Sequence, residues 1–360
     1  MSKLRLEAWL LEIPLKEPFR IALGTSTVSR NIVVRLVGED GIAGWGEASS
    51  SKKVLNETIE DVIDTLTKFV GGIDIDYTSV ERIYEFLGSF EGAPSAKAAL
   101  DMALLDLYAK NLGKPLWRVI GGYRESVETD ITIGIMEPEE QAKRAVKYVE
   151  EGFRALKLKL GLEPEKDVER VRAVRDAVGE GIKIRVDANQ GWSVEEAKWV
   201  IDRITSYDVE LVEQPVRWDD LEGMREVRRE SPVPIVADES VKTPSDALRV
   251  AEMDAADIIN IKLMKSRGIL GALRIAAISE AAGIKNMIGC MGESRLGITA
   301  GVHVAQAVRN IVVYDLDADL LQAEEVFSGG ASIERGVRRV EDVPGLGNFE
   351  VNEKYMKKII

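Results

Sequence analysis

The stretch "ALKLKLG" (155–161) alternates leucines with Lys157 and Lys159. Side chains two residues apart share one face of a strand, so Leu156, Leu158 and Leu160 point one way and both lysines the other. If that second face is a core, two ammonium groups stand where charge is costly. A surface edge strand is the alternative, and the surrounding sequence decides between them. From residue 129 onward similar apolar runs recur: "TDITIGI" (129–135), "ALKLKLG", "KIRVDAN" (183–189), "VELVEQP" (209–215), "PIVADES" (234–240), "DIINIKL" (257–263), "KNMIGCM" (285–291) and "IVVYDLDAD" (311–319). Helical stretches such as "PEEQAKRAVKYVEEG" (138–152) separate them. Eight strands alternating with helices predict an α/β fold, a (β/α)8-type barrel over 126–320. A doubly wound open sheet is the rival, weakened because no G-x-G-x-x-G or G-x-x-x-x-G-K-[ST] sits at a strand end.

Residues 1–125 read differently. Alternating strands with a turn at Glu39–Gly41 suggest an antiparallel meander, followed by helices near 54–69, 76–88 and 94–112. This is an N-terminal α+β capping domain. The segment 321–360, with "FSGGASIERG" and "VPGLG", is turn-rich and expected to return to the cap and complete it.

The chain has 360 residues, 45% hydrophobic and 30% charged, with a formal charge of −13. That charge argues against nucleic acid or an anionic membrane as partner and leaves a small molecule. No run approaches a membrane span or a signal peptide. Cys290 is the one cysteine, so no intramolecular disulfide forms, which fits a cytoplasmic protein. His303 is the one histidine, in the small-residue helical pattern "GITAGVHVAQAV", and is read as packed without a catalytic role. A multi-histidine metal site is thereby excluded.

Barrel enzymes build their sites at the C-terminal ends of the strands. There the strands carry Lys157 and Lys159, then Asp187, Glu213, Asp238, Lys262, and finally Asp315 and Asp317. From Lys159 the steps are 28, 26, 25 and 24 residues, each one βα repeat, and each charge shares parity with the face opposite the leucines or isoleucines. The lysines of the opening stretch therefore point into a barrel mouth. Any one carboxylate alone reads equally well as a salt bridge or a helix cap. Three in register with two lysines read as a site, and an all-oxygen trio suits Mg²⁺ or Mn²⁺. Lys159 and Lys262, on the second and sixth strands, would face each other across it. One would take an α-proton from a metal-bound carboxylate substrate and the other return one to the opposite face. Burial and the charge of Lys157 would lower the pKa of Lys159 towards the working range.

The set "LKLKLG", "RVDANQGW", "LVEQP", "ADES", "NIKLMKSRG" and "MIGCMGESRLGITA" resembles the enolase superfamily, muconate-lactonizing subgroup, over nearly the whole chain. A Lys base working with Mg²⁺ is a known property of that superfamily. The resemblance implies the modified, enolase-like barrel, with Asp187, Glu213 and Asp238 holding one Mg²⁺ per subunit. It also implies Lys159 and Lys262 as the acid/base pair, Lys157 as an electrostatic helper, and a homo-oligomer. "YDLDADL" resembles the strand-eight Asp-x-Asp of dipeptide epimerases, which implies that Asp315 and Asp317 hold a substrate's α-ammonium group, Asp319 being the lesser candidate. The implied function is a dipeptide epimerase that inverts the α-carbon of the C-terminal residue through a metal-stabilised enediolate.

Departures bear on the substrate. Gly24, beside Thr25 in "IALGTSTVSR", stands where members acting on Ala-Glu carry an arginine, with Arg30 a distant substitute. Gly292 replaces a larger residue and Arg267 a glycine usual in its turn. These leave the side-chain preference open, Ala-Glu included. Glu293 and Glu47 are carboxylates that could meet a cationic side chain or equally serve a salt bridge. Lys265 is read as a loop residue beyond its strand. Within the family, o-succinylbenzoate synthase or N-acylamino acid racemase is the alternative and a sugar-acid dehydratase is weaker. Outside it stand a Schiff-base lysine aldolase and a barrel that binds acids without turnover.

Overall fold

The structure is a computed structural model describing residues 2–360. Its N-terminal part is an antiparallel sheet in which Ser2–Ile21, Gly24–Val37 and Ala43–Ala48 lie in sequence order. The C-terminal strand Met356–Lys358 adds to the free side of the first strand, Trp9 opposite Lys358, so the tail returns to the cap. Helix Pro94–Asn111 packs on this sheet so closely that an added Cβ at Gly44 or Gly46 would meet the carbonyl oxygen of Ala103 or Ala99 at about 2 Å. The helix is buried on nearly all sides because its other face meets the barrel. Its Asp101 accepts hydrogen bonds from the Ile269 and Leu270 N–H groups (2.5 and 3.4 Å), capping barrel helix Ile269–Ala281. Burial pushes that carboxyl up to about 8.

The second sheet is wholly parallel. Its eight strands are Ile131–Ile133, Ala155–Lys159, Lys183–Asp187, Val209–Glu213, Ile235–Ala237, Ile258–Lys262, Lys285–Gly289 and Ile311–Tyr314, each paired to its sequence neighbour. Seven α-helices alternate with them, and the eighth strand is followed by the short 3-10 turn Ala318–Leu321 in place of an eighth α-helix. The first and eighth strands meet through the Asp130 N–H and the Tyr314 carbonyl (3.2 Å) rather than through a ladder.

Strand parity sorts the side chains as the opening stretch predicted. Leu156, Leu158, Ile184, Val186, Val212, Ile259 and Ile261 are buried outward against the helices. The inward positions form two layers. Leu211, Val236, Ile258, Met287 and Val313 make a separate apolar cluster low in the barrel. Two residues further along the fourth, fifth and eighth strands stand Glu213, Asp238 and Asp315. A filled lower barrel and a chemically active upper end follow from one alternation.

Candidate active site

The sequence brings its charges to the strand ends, and the fold buries them together. The Lys157 ammonium, 1% exposed, lies 2.7 Å from Glu213 Oε2, 2.7 Å from Asp315 Oδ2 and 3.3 Å from Asp187 Oδ2. Lys159 Nζ is 2.6 Å from Asp187 Oδ2, and Lys262 Nζ is 2.8 Å from Asp238 Oδ2. Carboxylate oxygens of Asp187, Glu213 and Asp238 lie within 4.8 Å of one another. Lys159 and Lys262 both line a cavity of about 260 Å³ between the barrel mouth and the cap. A second cavity of similar size, against the first barrel strand beside Tyr148 and Phe153, contains none of these lysines or carboxylates.

The charges set one another's protonation. Burial works against the ionised form of Asp238, yet Lys262 and then Lys265 hold it well below the usual carboxylate range. Asp187 is likewise lowered against burial by Lys159 and Lys157. Burial and the Asp187 charge push Glu213 up to about 7. Burial also disfavours the Lys157 and Lys262 ammoniums, but the surrounding carboxylates, led by Asp315 for Lys157 and Asp238 for Lys262, raise both above the ordinary lysine value.

The donor set fits a divalent cation. Glu213 Oε2 is buried and accepts no well-aligned hydrogen bond, its close neighbour being the Lys157 ammonium. Asp187, Glu213, Asp238, Glu239, Asp315 and Asp317 face Lys157, Lys159, Lys262 and Lys265, an excess of acid that a dication would offset. Oxygen-only ligands at the ends of three consecutive strands are the chemistry of Mg²⁺ or Mn²⁺ rather than of zinc.

Residues 140–355 match the family described as "Enolase C-terminal domain-like", and residues 6–121 match "Mandelate racemase / muconate lactonizing enzyme, N-terminal domain". The chain belongs to the mandelate racemase/muconate lactonizing enzyme family. It is 41% identical to an L-Ala-D/L-Glu epimerase of Clostridium acetobutylicum, covering 95% of this chain and 97% of that one. It is 42% identical to a hydrophobic dipeptide epimerase of Enterococcus faecalis, covering 93% and 96%. The crystal structure of a dipeptide epimerase from E. faecalis V583, complexed with Mg and the dipeptide L-Leu-L-Tyr, superposes with a TM-score of 0.94 at 41% identity, covering 96% of this chain and 99% of that one.

Within this family member, the strand-eight acids stand beside the lysines. Asp317 Oδ2 accepts the Thr132 N–H (2.6 Å), Asp315 Oδ1 accepts the Thr132 hydroxyl (3.3 Å), and Cys290 Sγ lies 3.6 Å from Asp317 Oδ1. Burial, then the Asp315 charge, pushes Asp317 up to about 6. Asp319 is elsewhere, paired with the buried Arg338 at 2.5 Å.

For several single residues the fold adds surroundings that the sequence did not show. Lys265 lies in the turn beyond its strand, as read from the sequence, but it is 2% exposed, 2.6 Å from Asp238 Oδ1, and bonded to the carbonyls of Asp238 and Asn260. Glu47 does not line the cavity. It accepts from Asn31, from Ser294 and from the Gly297 N–H, capping helix Arg295–Ala307 across domains. Glu293 turns back to the Met291 N–H (2.5 Å), and burial pushes it up to about 7. Gly24 and Thr25 sit at the hairpin tip and do not line the cavity, whereas Phe19, Ile21, Ser26 and Val28 do. Gly292 does line it, its carbonyl taken by Ser29 and Asn31.

Supporting residues went unseen in the sequence. Asn260 donates to Glu213 Oε1 (2.7 Å), and the Asn189 N–H donates to Asp187 Oδ1 (2.8 Å). Gln214 accepts the Asp238 N–H (2.8 Å) and fixes the next strand end. Asn189, Gln190 and Gln214 all have positive φ (42°, 70° and 37°), strain stored just after Asp187 and Glu213. Polar residues following a strand-end acid, in "DANQ" and "EQP", were the available signal. His303 is buried as expected: its Nδ1 accepts the Trp117 N–H (3.0 Å), so Nε2 carries the proton given to the Leu346 carbonyl (3.0 Å).

Proposed function

We propose that the protein is a Mg²⁺-dependent dipeptide epimerase that inverts the α-carbon of the C-terminal residue. The observation that carries this reading is the conjunction of Asp315 and Asp317 with the two lysines and the acidic trio at one end of the barrel, where Lys159, Lys262 and Asp238 line the cavity. Asp187, Glu213 and Asp238 would hold the ion. When bound, Mg²⁺ supplies positive charge to the substrate carboxylate and so makes the α-proton more acidic. Lys159 and Lys262, on strands across the barrel, stand on the two faces of the α-carbon. One removes the proton at its Nζ and the other delivers one, which inverts the centre. The Lys157 ammonium adds a fixed positive charge beneath the substrate carboxylate. Asp315 and Asp317 receive the α-ammonium of the N-terminal residue, a contact that N-acylated or purely acidic substrates would not use.

The cavity volume lies near the lower end of the range for small-ligand sites, in keeping with a dipeptide rather than a longer peptide. The net negative charge disfavours a polyanionic partner. The lone Cys290 fits a reducing cytoplasm, and family resemblance supports a homo-oligomer. Among the described residues no helix is long and apolar enough to cross a membrane.

The test is incubation with Mg²⁺ and pooled L,L-dipeptides in D₂O, scored by mass spectrometry. Gain of one deuterium by particular dipeptides is the expected result. No uptake from any pool by the metal-loaded protein would refute the proposal.

A further inference from the structure

We infer that the residue inverted here carries an uncharged, apolar side chain such as Leu, Met or Phe, an inference that rests on the dipeptide-epimerase reading. At the moment of proton exchange the α-carbon is planar, with a lysine over each face. Its three remaining substituents lie in that plane. The carboxylate goes towards the trio on strands three to five, and the peptide nitrogen leads towards Asp315 and Asp317 after strand eight. Below, the barrel is filled by Lys157 and then by the apolar layer of Leu211, Val236, Ile258, Met287 and Val313. The side chain is left one direction, outward along the barrel axis into the cap.

In that direction the wall is mostly apolar but not wholly so. Phe19, Ile21 and Val28 from the hairpin, Val54 from the loop after Ala43–Ala48, Met291 and Leu321 stand there with the uncharged polar residues Ser26, Ser29, Asn31, Ser49, Ser51 and Gln322. Val28 is 42% exposed, an apolar surface that a substrate side chain would cover. The charges of the cavity are committed elsewhere. Lys159, Lys262, Asp238 and Glu239 form the floor, where Glu239 follows Asp238 on the side taken by the substrate carboxylate. Arg30 is the charged side chain of the wall; it is half exposed and held by Glu12 at 2.8 Å. Glu47 and Glu293, the two acids next to this wall in sequence or contact, are turned into a helix cap and a backbone N–H.

A glutamate side chain would therefore lie against a mostly apolar wall whose other groups are neutral and supply no buried cation, and a lysine or arginine side chain would find no free acid there. An apolar side chain gains by the contact itself. Even one methylene in an apolar pocket is worth roughly 10- to 200-fold in kcat/KM.

The experiment measures kcat/KM for α-deuterium exchange in D₂O with Mg²⁺ on L-Ala-L-Leu, L-Ala-L-Phe, L-Ala-L-Glu and L-Ala-L-Lys. Leu and Phe are expected to exceed Glu and Lys by about tenfold or more. A value for Glu or Lys equal to or above that for Leu overturns the side-chain inference and leaves the epimerase reading standing. No exchange with any of the four removes the epimerase reading and this inference with it. Val54→Arg supplies a second arm. Placing a cation on the wall should raise the Glu-to-Leu ratio about tenfold, and an unchanged ratio would show that this wall does not meet the inverted side chain.

Discussion

The two layers inside the barrel come from the same strands and differ by a step of two residues. Leu211, Val236 and Val313 form part of a dry plug; Glu213, Asp238 and Asp315 above them form part of a charged floor. Parity is identical, and what changes is the height along the strand. The lower layer stabilises through burial of hydrocarbon and close packing. The upper layer costs stability to assemble, since each charge there is held by an opposite one rather than by water. The fold supplies rigidity below so that strain and charge can be held above.

The comparison breaks most visibly through the lysines. Lys159→Ala and Lys262→Ala should each lower the epimerisation kcat by about 10³-fold or more, read by polarimetry or chiral chromatography. Full activity in both would remove the charged layer from the chemistry. In the lower layer, Met287→Ala should show the opposite profile. It should cost about 2–5 kcal/mol in denaturant unfolding while the folded fraction keeps its kcat. Loss of kcat without loss of stability would contradict the division of labour.

Two smaller effects sharpen the contrast. Asn260 lies between the layers and holds Glu213, so Asn260→Ala should weaken Mg²⁺ binding by about 10- to 100-fold in calorimetry. His303 is a titratable group outside the mouth, with backbone partners and no opposite charge, and burial lowers it to about 4. The unfolded chain binds a proton near pH 6.5 that the folded protein refuses. The stabilisation is therefore complete above that pH and is lost as pH falls towards 4, by about 3 kcal/mol at most. The stability difference between the native protein and His303→Gln should shrink across this window, and a constant difference would contradict the account.

What was legible in the sequence was what alternation and spacing encode. "ALKLKLG" and its seven counterparts gave the strands, their inward faces and the order of the charges around the mouth, because period-two side-chain direction needs no tertiary information. What was not legible depends on contacts between segments far apart in the chain. Lys265 is the loop residue that the sequence suggests, but its burial against Asp238 shows only once the turn is folded. Glu47 reads as a possible substrate contact until helix Arg295–Ala307 arrives 247 residues later for it to cap. Gly24 reads as a pocket residue, but the hairpin register sets it at the tip, opposite Ile21. Gln214 carries no charge after Glu213, and only in the fold does its side chain accept the Asp238 N–H and order the next strand end.

The central claim is that Lys159 and Lys262 address opposite faces of one α-carbon, and single-variant isotope exchange tests it most directly. Each epimer of a reactive dipeptide is incubated in D₂O with Mg²⁺ and either Lys159→Ala or Lys262→Ala, and α-deuterium is followed by NMR. The account predicts complementary losses: each variant still exchanges one epimer and fails on the other, and the two variants fail on opposite epimers. Failure of both variants on the same epimer, or exchange of both epimers by either variant, would contradict it.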